Sequence, residues 1–219
     1  MAEETFEGFS SAAWVFLSDL KNNNTREWFA AHKPLYDADL KAPADAFAGV
    51  MASALSAMTE LDHSAKVFRI YRDVRFSKDK TPYNPHLRIG FTPDTPATNR
   101  PMWFFGVDPQ GFALGTGVFA FDKDALSAFR ARVAGPDGKA LAAMIDGLRN
   151  AGARISEPDL KRVPTGYPQD QNHGDLLRHK GLSAWRDFDD PGRLTRPDTV
   201  EFCLSEFTKI RPLFDALLS

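Results

Sequence analysis

Hydrophobic positions recur with two different periods along this chain, and the change of period divides it. Trp14, Leu17 and Leu20 return at helical spacing behind Ser10 or Ser11, either of which can cap the first turn, and Asn22, Asn23 and Asn24 end the run. Thr25 reads as the start of a second helix that places Trp28, Phe29, His32 and Tyr36 on one face, with Pro34 near its boundary. From Tyr36 to Leu61, the positions Leu40, Phe47, Val50, Met51, Leu55 and Met58 predict a long Ala-rich helix that Pro43 must kink or restart.

The middle of the chain changes to short aromatic and β-branched runs broken by Pro, Gly, Asp and Asn. Val67 to Tyr71, His86 to Phe91, Met102 to Val107 and Phe112 to Phe121 are predicted strands, the last two joined by a hairpin turn at Asp108 to Gly111. Helices return from Lys123 to about Ala134 and from Lys139 to Ala151. Arg154 to Asp190 reads as irregular, apart from a short helix at His173 to His179. A last helix from about Thr199 to Leu218 carries Cys203, Phe207, Ile210, Phe214 and Leu217 as a core stripe.

Helices at both ends around sequentially adjacent strands predict an α+β fold: a helical N-terminal region, a central antiparallel sheet of short strands, helices packed on the sheet, and a C-terminal helix. With no repeat, low-complexity tract or linker, residues 1–219 are expected to form a single α+β domain. Hydrophobic residues make up 43% of the chain and charged residues 26%, which supplies enough apolar matter to offset the entropy of ordering.

Formal net charge is −2, so the whole molecule is no polycation for nucleic acid or an anionic membrane, and any such contact must be local. One cysteine, Cys203, excludes an internal disulfide and a cysteine metal cage. The acidic start Met-Ala-Glu-Glu-Thr does not resemble a signal peptide, and no apolar run reaches membrane-spanning length. A soluble cytoplasmic protein is therefore expected. The five histidines offer no paired metal-ligand spacing and HExxH is missing, so no metal is expected. Walker and GxSxG patterns are absent too, so neither a cofactor nor a catalytic residue follows from the sequence.

Charge is far from uniform. Between Lys66 and Arg88 stand seven Lys or Arg and two Asp, a local balance of +5, whereas the remainder holds 20 basic and 27 acidic residues, or −7. Such a concentration attracts an anion or an acidic surface, and the planar forks of arginine suit phosphate or carboxylate. If Phe68 to Phe76 forms one strand, Arg72 falls within an apolar row and must be paired. The expected ligand-binding residues are Arg69, Arg72, Asp73, Arg75, Lys78, Asp79, Lys80 and Tyr83. Trp28 is the candidate pocket wall, and Arg178 and Lys180 are expected to join from the late segment.

The run Phe68-Arg69-Ile70-Tyr71-Arg72-Asp73-Val74-Arg75-Phe76-Ser77-Lys78-Asp79-Lys80-Thr81-Pro82-Tyr83 resembles the hallmark of the family called domain of unknown function 2461, found in bacteria and fungi. Three other stretches resemble that family in the same order: Asn22 to Phe29 with Tyr36, the region of Gly115 to Gly117, and Lys161 to Tyr167 with Leu176 to Lys180. Asn84 stands where relatives carry Lys. The resemblance implies no activity. Two functions meet the residues: a protein or enzyme that grips a small phosphate- or carboxylate-bearing ligand in a pocket, and a non-catalytic module for nucleic acid or an acidic protein. Compact cations on an acidic remainder make the small anion the expected partner, with nucleic acid second.

Overall fold

The structure, a computed structural model, describes residues 6–97 and 99–218. Residues 1–5, which carry most of the acidic start read as no signal peptide, lie outside the described residues.

Helix α1 (Ser11–Asn22) begins where Ser10 Oγ accepts the Ala12 N–H at 3.2 Å, and α2 (Arg26–Leu35) where Thr25 Oγ1 accepts the Trp28 N–H at 3.2 Å. Pro34 lies inside α2, one residue before its C-terminal end, as its place near the boundary predicts. The predicted long helix is two elements. Tyr36–Lys41 is a π-helical segment and α3 (Ala42–Thr59) follows with Pro43 in its first turn. Proline has no N–H to donate to the preceding turn, so a wider turn before it and a restart after it accommodate its ring.

Six strands form one antiparallel sheet in the order β1-β2-β3-β4-β6-β5: β1 (His63–Val67), β2 (Leu87–Pro93), β3 (Met102–Asp108), β4 (Gly111–Val118), β5 (Arg154–Ile155) and β6 (Leu182–Phe188). Helices α4 (Lys123–Ala134), α5 (Gly138–Asn150), α6 (Gly174–Leu177) and α7 (Thr199–Leu218) complete an α+β fold. Three strand expectations need correction. The first strand lies earlier than predicted, sharing only Val67 with the expected run, and pairs His63 with Pro93 through Val67 with Ile89. The fourth stops at Val118. Within the stretch read as irregular, β5 and β6 form, with Arg154 opposite Trp185 and Ile155 opposite Ala184. Leu182, Ser183 and Ala184 are buried consecutively, so β6 shows no alternation for a period-two reading to find.

The chain forms two compact units. The first comprises Met1–Asp94, Phe104–Leu114 and Asp187–Ser205. Its core is aromatic: Phe9 meets Phe6, Trp14, Phe47 and Phe105 at centroid distances of 5.0 to 6.0 Å. The second comprises Thr95–Trp103, Gly115–Arg186 and Glu206–Ser219. There Trp103 stacks on Phe214 at 4.7 Å and meets Phe207 edge-on at 5.2 Å. The stripe on α7 is buried at Cys203, Phe207, Ile210 and Phe214, with Leu213 beside it. At Gly117, φ is +138° and a Cβ would lie 2.1 Å from the Leu182 carbonyl oxygen, so only glycine allows the backbones this close.

Candidate functional site

The basic motif is a loop, not a strand. The β1–β2 ladder ends at Val67, and residues 68–86 before β2 form no further strand. The geometry that would have set Arg72 among apolar side chains does not arise. Ile70 turns inward and is buried, whereas Phe76 is 96% exposed.

The base of the loop is tied. Tyr71 and Tyr83 form an isolated antiparallel bridge, the Arg72 N–H donates to the Pro82 carbonyl at 2.8 Å, and the Asn84 N–H to the Ile70 carbonyl at 2.7 Å. Asn24 then grips Tyr83 from the α1–α2 turn: Nδ2 donates to the Tyr83 carbonyl at 2.9 Å and Oδ1 accepts its N–H at 3.0 Å. The Tyr83 ring is buried and stacks on Phe29 at 4.1 Å, with Tyr71 and Tyr36 in the same cluster. Burial pushes the Tyr83 phenol up, and burial with Asp37 takes Tyr36 to about 12, so these rings serve as packing and not as acidified proton donors. Trp28 is half-buried and lies flat on His32 at 4.1 Å.

The acidic residues of the motif shape the loop. Arg72 Nη1 donates to Asp79 Oδ2 at 2.6 Å and to the Thr81 hydroxyl, and Asp79 Oδ1 accepts the Thr81 N–H at 2.9 Å. The Thr81 N–H and the Arg72 guanidinium hold the Asp79 carboxyl down at about 2. Arg75 closes its fork on Asp73, Nε to Oδ1 at 2.9 Å and Nη2 to Oδ2 at 2.6 Å, which lowers the Asp73 carboxyl. Lys80 Nζ donates to the Val74 carbonyl at 3.0 Å. Arg69 and Lys78 are exposed and make no hydrogen bond or ion pair among the described residues.

Two residues next to the loop, Arg88 and His86, were not among the expected ligand-binding residues. Arg88 lies across Gly106, where a Cβ would come 2.6 Å from Arg88 Nη1, and that nitrogen donates to the Leu87 carbonyl at 3.2 Å. His86 is pushed down to about 4, by burial first and the Arg88 charge second. Arg88 opens on a cleft of about 220 Å³ with Asp108, Asp187 and Asp189 in its lining, an acidic surplus that disfavours an anion there.

Arg178 and Lys180 belong to the second unit. Arg178 Nη2 lies 3.3 Å from Asp175 Oδ1, and the Lys180 N–H donates to Asp159 Oδ2 at 2.6 Å. Among the described residues no group of three His, Cys, Asp or Glu could hold a metal ion, and no helix is long and apolar enough to cross a membrane.

An aromatic cluster tying the α1–α2 turn to a basic loop thus joins the two most distinctive sequence stretches in one unit. The chain belongs to the conserved hypothetical protein family DUF2461, whose pattern matches residues 12–215. No curated protein matches the chain.

Proposed function

We propose that the protein binds single-stranded nucleic acid through the tip of the 68–86 loop. The observation that carries this reading is Phe76, 96% exposed between the cations Arg75 and Lys78 on a loop whose base is clamped. A large ring held in water on a loop tied at its base offers a face for a base, while Arg69, Lys78 and Lys80 offer contacts to successive phosphates. Arg75, 5.9 Å over the Phe76 ring, stiffens that platform.

A small anion in a pocket fits less well. The guanidinium forks best suited to it already close on Asp79 and Asp73, so a ligand must displace internal carboxylates. The excess negative charge elsewhere is no bar to a short strand, because charges beyond about 8–10 Å are screened at physiological salt. A cytoplasmic setting belongs to the same reading, since the single thiol, Cys203, is buried and needs no oxidising environment.

Fluorescence anisotropy with a labelled oligonucleotide across a salt series tests the proposal. Three phosphate contacts predict a log-log slope of about −2 for a single strand, and each of Arg69→Ala and Lys78→Ala should shallow it by about 0.7. Phe76→Ala should weaken binding by roughly 1–3 kcal/mol. Absence of binding at low salt, or binding that these variants leave unchanged, defeats the reading. Equal competition by polyglutamate together with a silent Phe76→Ala would assign the loop to an acidic protein instead.

A further inference from the structure

The second unit has a groove of its own, formed from the last of the stretches that resemble the family, Lys161 to Tyr167 with Leu176 to Lys180. Two cavities, of about 840 and 380 Å³, share Lys161, Arg162, Val163 and Gln169 in their walls, and Arg178 lines the smaller. The groove is built by main-chain ties: the Leu160 N–H donates to the Arg178 carbonyl at 3.0 Å, and the Lys180 N–H to Asp159 Oδ2. Gly174 fits so close that a Cβ would lie 3.0 Å from Val163 Cγ2, which keeps α6 against the 160–165 segment.

The cations in this groove are available. Lys161 and Arg162 are exposed and have no ion pair or hydrogen bond from their side chains among the described residues. Arg178 is held mostly out of water, and its Nε is buried without a hydrogen-bond partner. A buried guanidinium N–H left unsatisfied is unfavourable, and the side chain that carries it lines the smaller cavity. Its carboxylate partner among the described residues, Asp175, is 82% exposed at 3.3 Å, a weak contact that an incoming anion can replace.

We propose that this groove binds a sugar phosphate, the phosphate facing Arg178 with Lys161 and Arg162 and the hydroxyls facing the amides. Three cations without a strong internal partner suit a dianion better than a single carboxylate. Gln169 donates to the Val163 carbonyl at 3.0 Å, which leaves its amide oxygen to accept from a hydroxyl, and Gln171 and His173 add further polar atoms. The lining of both cavities contains no Phe, Tyr or Trp, so it provides no ring for a base to stack on. This inference is independent of the loop at residues 68–86.

Calorimetric titration of the full chain with ribose 5-phosphate, ribose, inorganic phosphate and adenosine monophosphate tests it. Saturable binding of ribose 5-phosphate, tighter than that of the other three, is the expected result. Arg178→Gln should weaken it roughly ten- to a hundredfold, the loss of one charge-assisted hydrogen bond. The double variant Lys161→Ala with Arg162→Ala removes only exposed side chains, so it remains folded and should weaken binding at least as much. Lys78→Ala with Lys80→Ala, in the loop, should leave it unchanged. A dissociation constant weaker than about 10 mM for the parent, equal binding of the mononucleotide or of phosphate alone, or indifference to the double variant overturns the proposal.

Discussion

Asn24 spends both halves of its side-chain amide on the backbone of Tyr83, a residue 59 positions away. The amide copies the donor and acceptor of a neighbouring strand, and so completes the pairing of an isolated bridge at the foot of the basic loop. The asparagine-rich turn is therefore more than a helix stop, because it holds the element proposed to bind nucleic acid.

Asn24→Ala should lower stability by about 1–3 kcal/mol, the cost of leaving partly buried backbone groups without partners. Amide exchange at Tyr83, Arg72 and Asn84 should accelerate more than exchange in α5, whereas uniform acceleration would show that the clamp is not local. Hydrogen exchange read by mass spectrometry gives the answer.

The Arg72–Asp79 pair makes the loop acid-sensitive. The Asp79 carboxyl sits at about 2, below its ordinary value near 4, so its contribution is present above pH 4 and is lost as the pH falls toward 2. Because the carboxylate is exposed, the effect belongs to the loop rather than to global stability. Amide resonances of Thr81 should shift with a midpoint near 2, and Asp79→Asn should abolish that titration.

His86 titrates in a different window. Its folded value of about 4 lies below the unfolded value near 6.5, so the fold favours the neutral ring. That contribution is complete above pH 6.5 and is lost as the pH falls through 4. Ring-proton chemical shifts should show the low midpoint, and Arg88→Gln should raise it by removing the second cause of the shift. A midpoint near 6.5 in the parent protein would contradict the burial seen here.

In the second unit, Glu206 is buried and accepts from Arg186 Nε at 2.9 Å and from Lys209, while Arg186 Nη1 donates to the Ala151 carbonyl at 2.8 Å. Glu206→Ala strands the Arg186 charge and should destabilise the protein by about 3 kcal/mol, visible as a lower denaturation midpoint. Glu206→Leu with Arg186→Met, which removes both charges, should recover much of that loss.

The helices were legible because their signals are local. Ser10 and Thr25 cap where their side chains predict, and Pro43 marks a restart. The π-helical turn before Pro43 has no period of its own in the sequence and was hidden in the longer helical pattern. Strand β6 was invisible because burial on both faces erases alternation. The aromatic and β-branched run from Phe68 looked like a strand, yet beyond Val67 it keeps only an isolated bridge between Tyr71 and Tyr83, and pairing is decided across the sheet.

Sequence alone determined the α+β class, the helical ends, the family resemblance and the concentration of positive charge, since periodicity, capping and composition act over a few neighbouring residues. Tertiary structure decided what that charge can do. It closed Arg72 and Arg75 on aspartates within their own loop, left Arg69, Lys78 and Phe76 facing water, and set Arg178 in a groove of the second unit. The reason is geometric: a salt bridge or an exposed ring depends on where the backbone turns, and contacts such as that of Asn24 with Tyr83 direct those turns from far along the chain.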